Sequence, residues 1–408
     1  MKKILLALLG TGLLCAEPQH DLYQNNLIFD PYFSPYAGAD DLLIAHKFVQ
    51  HSSLERLTDL YQTNPALWAQ LSRAAELVLF WDPVNCMTMV TQHEVFGHGY
   101  RARSIPTAKV DKYTFNVPPP YGRGGGATHL HYSNEINAFQ LLDISSGGVE
   151  ATAIFANKIR MQWLKNGQIN PRQNSLYLWT AHDLTHYATL TGHSDGNDMD
   201  QYLSLLNSTY AGSNLTRKSL AIQSLVNLLD PFTYYSVASV WKFIRKGKEG
   251  TIPMISIGSY KYLPGARLGL TPFGPEYYLE NFLVKDNRPI YFYLRNGRHV
   301  GMNYMGCGIE NPHQWDLGSF QIGYRADLWY QPDIDMHQKR FTLSQFKDHN
   351  LNANTSDSRF GASISLIAER KLWETGALFL QLGGKSRGYL PGESLDPSLI
   401  VRAGITLW

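Results

Sequence analysis

Residues 318–330 read GSFQIGYRADLWY, and their alternation decides how the C-terminal part of the chain folds. Phe320, Ile322, Tyr324, Ala326, Leu328 and Tyr330 fall on one side of an extended chain, with Gln321, Gly323, Arg325 and Asp327 on the other. Side chains alternate across a strand, so this is a β-strand with one apolar and one polar face. The pattern returns at Arg359–Lys371, Gly376–Gly384 and Leu399–Trp408. Shorter versions lie at Ile252–Ser259, Ala266–Leu270, Tyr277–Leu283, Pro289–Arg295 and Val300–Ile309, so about eight strands are expected after residue 250.

Upstream of Lys246-Gly247-Lys248-Glu249-Gly250 the spacing is helical. Pro65–Arg103 places Leu67, Leu71, Ala75, Leu79, Val84 and Val90 on a helical period. Further helices are expected over Asn134–Lys165, Asn174–Leu190 and Asp198–Leu206, and over Arg217–Arg245, where Pro231 should kink or split the element. Pro118–Pro120 and Gly122–Gly126 mark a loop or an irregular strand edge between the first two. The expected architecture is multidomain α+β: a mainly helical, zincin-like domain at 17–250, then an antiparallel β-barrel of about eight strands at 251–408.

The chain has 408 residues, 44% of them hydrophobic and 17% charged, with a formal net charge of +2. That balance fits folded protein and lacks the basic stripe a nucleic-acid partner requires. Lys2 and Lys3 precede an apolar run from Ile4 to Leu14, closed by Ala16, which is the layout of a secretory signal over residues 1–16. Only Cys86 and Cys307 follow it, too few and too far apart for a disulfide framework. No later segment offers an apolar run long enough for a membrane helix.

An exported strand set of this kind forms either a soluble β-sandwich or a membrane barrel. Connection lengths favour the barrel, because Tyr389–Pro397 is long and polar, Trp373–Gly376 is tight, and Gln331–Ser358 is long again. Outer-membrane barrels use short periplasmic turns and longer external loops. The terminal stretch Leu399-Ile-Val-Arg-Ala-Gly-Ile-Thr-Leu-Trp408 resembles the closing strand of bacterial outer-membrane β-barrel proteins. It differs in one respect, since Val401, Ala403, Ile405 and Leu407 lie on the face opposite Trp408.

The chemistry concentrates in His93-Glu94-Val95-Phe96-Gly97-His98, at the end of the longest helical pattern. In the familiar H-E-x-x-H zinc motif the histidines are four apart and share a helical face, with the glutamate as general base. Here they are five apart, so an ideal α-helix would splay them roughly 140° apart. An extra residue accommodated as a π-bulge would bring them together, and Gly97 and Gly99 supply backbone freedom.

This hexapeptide resembles the His-Glu-x-x-Gly-His motif of the dipeptidyl peptidase III metallopeptidases. The resemblance implies zinc held by His93 and His98, Glu94 as general base, and a third ligand from a glutamate on a following helix about fifty residues on. Glu150, in Ser145-Ser-Gly-Gly-Val-Glu-Ala-Thr-Ala, occupies that place, although Val149 stands where the family has a second glutamate. His182, His186 and Tyr187 are candidate donors to the negative charge that develops during hydrolysis.

His182-Asp-Leu-Thr-His186 could also bind a metal of its own, or be two histidines on a helix face. Asp195, Asn197, Asp198 and Asp200 read as a polar turn and helix cap, because the pattern of a calcium loop is missing. The segment from Gly122 to His131 is either a surface loop or an edge able to pair with an extended peptide.

The sequence thus leads to an exported Zn2+-dependent peptidase acting on peptide or protein substrates. A C-terminal barrel would embed it in outer-membrane lipid of a Gram-negative-type cell, with the helical domain in the periplasm or partly plugging the barrel. Two alternatives stand beside it: a non-enzymatic outer-membrane protein with a structural or vestigial metal site, and a soluble periplasmic metallopeptidase with a β-sandwich.

Overall fold

The computed structural model describes residues 25–51, 61–132, 136–192, 197–334, 357–373 and 376–407. The signal segment, Asp195 and Trp408 lie outside the described residues. Strands β1 (Asn25–Phe29), β2 (Ala108–Phe115), β3 (Gly126–Tyr132), β4 (Gln168–Ile169) and β5 (Gly250–Thr251) are interspersed with the helices. The rest follow as a run: β6 (Ile255–Ile257), β7 (Tyr260–Thr271), β8 (Gly274–Lys285), β9 (Arg288–His299), β10 (Met302–Leu317), β11 (Phe320–Pro332), β12 (Ser358–Trp373), β13 (Gly376–Lys385) and β14 (Ser398–Leu407).

From β6 to β14 each strand pairs antiparallel with the next, and β1 adds to the far side of β14, giving a ten-stranded sheet. Two of the turns are Asp286–Asn287 and Val300–Gly301, with positive φ at both central residues, the geometry whose twist matches that of the paired strands. The strands alternate as the sequence implies, but with the polar face buried. On the inner face Glu276, Glu280, Arg295, Arg325, Asp327 and Arg402 are buried, while on the outer face Leu279, Leu294, Leu328, Leu366, Leu380 and Val401 are exposed.

The helices are α1 (Pro35–Val49), α2 (Leu67–Ala75), α3 (Asp82–Thr91), α4 (Gly99–Arg103), α5 (Ala138–Asn166), α6 (Asn174–Ala181), α7 (Asp183–Thr189), α8 (Asp198–Thr209), α9 (Arg217–Ser224) and α10 (Pro231–Lys246). Two π-helical segments, Glu76–Trp81 and Gln92–His98, join α2 to α3 and α3 to α4. Pro231 splits the fifth helical pattern as expected: a 3-10 turn, Leu225–Leu229, ends there, and Asp230 caps α10 by accepting from Phe232 N.

The central element is α5. Asn137 and Gln140 form a reciprocal capping box at its start, and Gly167, at φ 68°, ends it. Its 29 residues span roughly 43 Å at ~1.5 Å per residue, and every residue from Ile136 to Thr152 is buried. Arg160, on this helix, reaches the inner face of the sheet, where Nη1 and Nη2 donate to Glu280 at 2.7 and 3.2 Å. Arg267 and Tyr291 donate to the same carboxylate at 2.9 and 2.8 Å. Removing one partner of such a buried pair strands a charge, at a cost of about 3–5 kcal/mol.

Two sequence expectations need correction. The sheet is not closed into a barrel: among the described residues β1 and β6 are its free edges. Helices occupy the space beside them, α1 against β1 and the 225–229 turn against β7, where Leu268 N donates to Asn227 Oδ1 at 2.7 Å. Nor does residue 250 divide two independent cores. The N-terminal β1 completes the sheet, and one buried cluster joins Phe155, Trp163 and Tyr177 from helices to Tyr278, Phe282 and Tyr291 from strands. Helix α5 packs along the inner face, where Arg160 joins buried pairs that the strands also make among themselves, Arg295–Glu276 and Arg325–Asp327.

Candidate metal centre

The motif lies where α3, the second π segment and α4 form one continuous helix. Over Gln92–His98 the hydrogen bonds run from i to i+5, as from Gly99 N to Glu94 O. The wider turn brings residues five apart onto one side, so the extra residue is absorbed as the sequence suggests. The rings of His93 and His98 stand 4.9 Å apart between centroids.

Both imidazoles are fixed through the nitrogen facing away from the centre. His93 Nδ1 lies 2.8 Å from Asp183 Oδ2, and Thr152 Oγ1 donates to that oxygen at 2.9 Å. His98 Nδ1 lies 2.6 Å from the carbonyl oxygen of Ile144, on α5. A ligand histidine is normally held this way, with one N–H donated to a carboxylate or carbonyl and the other nitrogen left for the metal.

The two Nε2 atoms face each other and Asp198 Oδ2, and all three separations are 3.1 Å. Ligands about 2.0–2.1 Å from a tetrahedral zinc stand roughly 3.3 Å from one another. Two imidazoles and one carboxylate at that spacing therefore fit zinc, with a fourth position open. Among the described residues this is the one group of three or more potential ligands that converges on a point.

Electrostatics points the same way. Burial opposes charge on every member, yet Asp183 and Asp198 outweigh it for His93, whose pKa is raised well above the usual histidine range, and Asp198 raises that of His98. For Asp198 burial is likewise overcome by the imidazoles, which hold its carboxyl far below the ordinary carboxylate range. The centre attracts positive charge, which a cation supplies without protonating the rings.

Asp198 is the member of the cluster that sequence reasoning missed. Asn197 caps α8 by accepting from Met199 N and Asp200 N, as the sequence implies, but the following residue points its carboxylate into the centre. Glu150 is not the third member. Arg101 Nη2 donates to its two oxygens at 2.6 and 2.5 Å, Gly392 N at 2.6 Å and Tyr389 Oη at 2.8 Å, so its charge and lone pairs are already engaged. Asp143 takes the same guanidinium from another side, at 3.1 Å.

The Ser145–Glu150 segment matters through its glycines instead. A Cβ on Gly148 would fall 2.2 Å from His93 Nε2, and one on Gly97 would fall 2.6 Å from the Gly147 carbonyl. Bare backbone on both helices is what lets α5 cross the motif closely enough for Ile144 to reach His98.

Of the three candidate donors, Tyr187 reaches the centre. Its ring stacks on His93 at 5.3 Å and 17°, and burial, followed by the Asp198 and Asp183 carboxylates, holds its hydroxyl pKa well above the usual tyrosine range. His182 Nε2 instead lies 2.8 Å from Thr233 Oγ1, and the His186 ring packs edge-on to Trp179, so neither joins the donor set. Glu94 is buried, with Thr128 Oγ1, from β3, donating to its Oε2 at 2.7 Å. No known protein family, curated protein or solved structure matches the chain.

The geometry makes a discriminating prediction. Asp198→Ala should weaken zinc binding by at least about 100-fold, above the 10–100-fold typical of lost outer partners. Glu150→Gln should leave affinity within a fewfold of the parent. Competition titration against a zinc chelator measures both, and the reverse order would contradict the assignment.

Proposed function

We propose that the protein is a zinc-dependent peptidase held in an outer membrane by its sheet. The observation carrying the enzymatic part is the 3.1 Å triangle of His93, His98 and Asp198, with Glu94 buried next to His93 in the same π-helical segment. Zinc bound there would polarise the scissile carbonyl and lower the pKa of water towards about 7. Glu94 accepts the proton of the attacking water and returns it to the leaving amine. Thr128 donates to that carboxylate at 2.7 Å, and Asp183 and the Ile144 carbonyl keep both imidazoles in the ligand tautomer. Strand β3 pairs only with β2 among the described residues, so its other edge suits an extended peptide, and Thr128 on this strand contacts Glu94.

The membrane part rests on the inverted polarity of the sheet. A soluble sheet buries its apolar face, whereas here large apolar side chains are exposed on the outer face and charges are buried within. Lipid outside and a polar interior are the conditions that stabilise this pattern. Strands β7 to β14 have 10–16 residues, enough for the ~9–11 that a tilted crossing requires. Both long connections, 333–357 and 386–397, leave the same end of the sheet as the β7–β8 turn. At that end Tyr202 and Tyr210, from α8 and its C-cap, donate to the carbonyls of Thr271 and Pro272. Long connections face the exterior in such proteins, so the α8 side of the metal centre is assigned to the outside of the cell rather than the periplasm.

Two experiments bear on this reading. Glu94→Gln should retain stoichiometric zinc and lose peptide hydrolysis by about 10²–10⁴-fold, the usual contribution of a general base; unchanged turnover would contradict the role. An epitope inserted between residues 340 and 350 should bind antibody on intact cells. Binding only after the outer membrane is permeabilised would reverse the orientation, and release of the protein by carbonate washing would remove the membrane anchor.

A further inference from the structure

The open sheet leaves a breach between β1 and β6, and the helices beside it carry apolar side chains on the side turned away from the protein. On α10 Phe232, Ser236, Ser239 and Phe243 are buried, while Tyr234, Val237 and Trp241, at spacings of three and four, are 59%, 54% and 62% exposed. These three share one helical face. The preceding 3-10 turn adds Leu229, 67% exposed, and α2 adds Leu67 and Leu71. The two helices are locked together, because Arg73 Nε donates to the Ile244 carbonyl at 2.9 Å. The 225–229 turn continues directly onto β7. In water such a surface is costly, since large apolar side chains are left exposed together.

We propose that α10 and α2 complete the wall of the open sheet and that phospholipid acyl chains cover their outer faces. This rests on the outer-membrane reading of the sheet. Two features favour lipid over a protein partner. The outer face of β8 exposes Tyr277 and Leu279, which the same bilayer would cover. The C-terminal turn of α10 is basic: Lys242, Arg245 and Lys246 lie there, and the Arg245 guanidinium sits 5.7 Å from the Trp241 ring centre. Tryptophan with arginine and lysine is the side-chain set that marks a membrane–water interface, the cations meeting anionic headgroups. The basic turn also lies at the end of the sheet opposite the two long connections. Ser239 contacts the Ile169 carbonyl and Gly250 N there, beyond the Trp163–Val284–Tyr291 cluster next to the β8–β9 turn.

The test uses the full chain in vesicles of phosphatidylethanolamine and phosphatidylglycerol, with Cys15, Cys86 and Cys307 replaced by alanine. A nitroxide is attached at Val237→Cys or Leu229→Cys, and at Leu380→Cys on the sheet as reference. Collision rates with oxygen and with a water-soluble nickel complex are compared. At all three positions oxygen should dominate by several-fold. Lipid contact at 380 with nickel access at 237 and 229 would overturn the helical wall and leave the membrane reading intact. Protection of 237 and 229 from both reagents, as by a second copy or another protein, would also overturn it. Nickel access at all three would remove the membrane reading and the proposal together.

Discussion

The close crossing of α5 over the π-helical segment is the constraint on which the rest of the molecule depends. It exists because Gly97, Gly147 and Gly148 carry no side chains where the two backbones and the His93 ring meet. Once that contact forms, the Ile144 carbonyl orients His98, Thr152 steadies Asp183 behind His93, and Asp143 and Glu150 clamp Arg101. The same helix then continues along the inner face of the sheet to the Arg160–Glu280 pair. A buried pair like this adds little net stability. What it supplies is register, because α5 can slide relative to the sheet only by leaving charges without partners.

This one helix links two unlike environments. Its first half is packed among helices that present imidazoles and carboxylates, and its second half faces strands whose polar side is turned inward. The sheet acts as a rigid support, so the ligand geometry does not rest on loops. Asp198 is the exception: it is the first residue of α8, reached from α7 by a short polar link, and it is the most accessible of the three ligands.

Much of this is legible in the sequence where the signal is local. Alternation over residues 318–330 and its repeats gives the strands, and the five-residue spacing of His93 and His98 already demands the π segment that forms. Signals that depend on tertiary placement are not legible. Glu150 stands at a plausible distance along the chain from His98, but chain distance does not reveal that Arg101, three residues beyond His98, turns back to claim it. Asp198 is a hundred residues from His98 and sits in a run whose capping role is genuine, so nothing local marks its second role. Closure of the sheet depends on whether β6 or a helix meets β1, a competition between edges that strand patterns do not encode.

X-ray absorption at the zinc edge of the metal-loaded full-length protein tests the central claim most directly. The account predicts two imidazole nitrogens and one carboxylate oxygen at about 2.0–2.2 Å plus one light-atom ligand, with one oxygen lost on converting Asp198→Ala and the first shell unchanged in Glu150→Gln. A protein that binds no zinc, or a first shell that changes with Glu150 and not with Asp198, would contradict it.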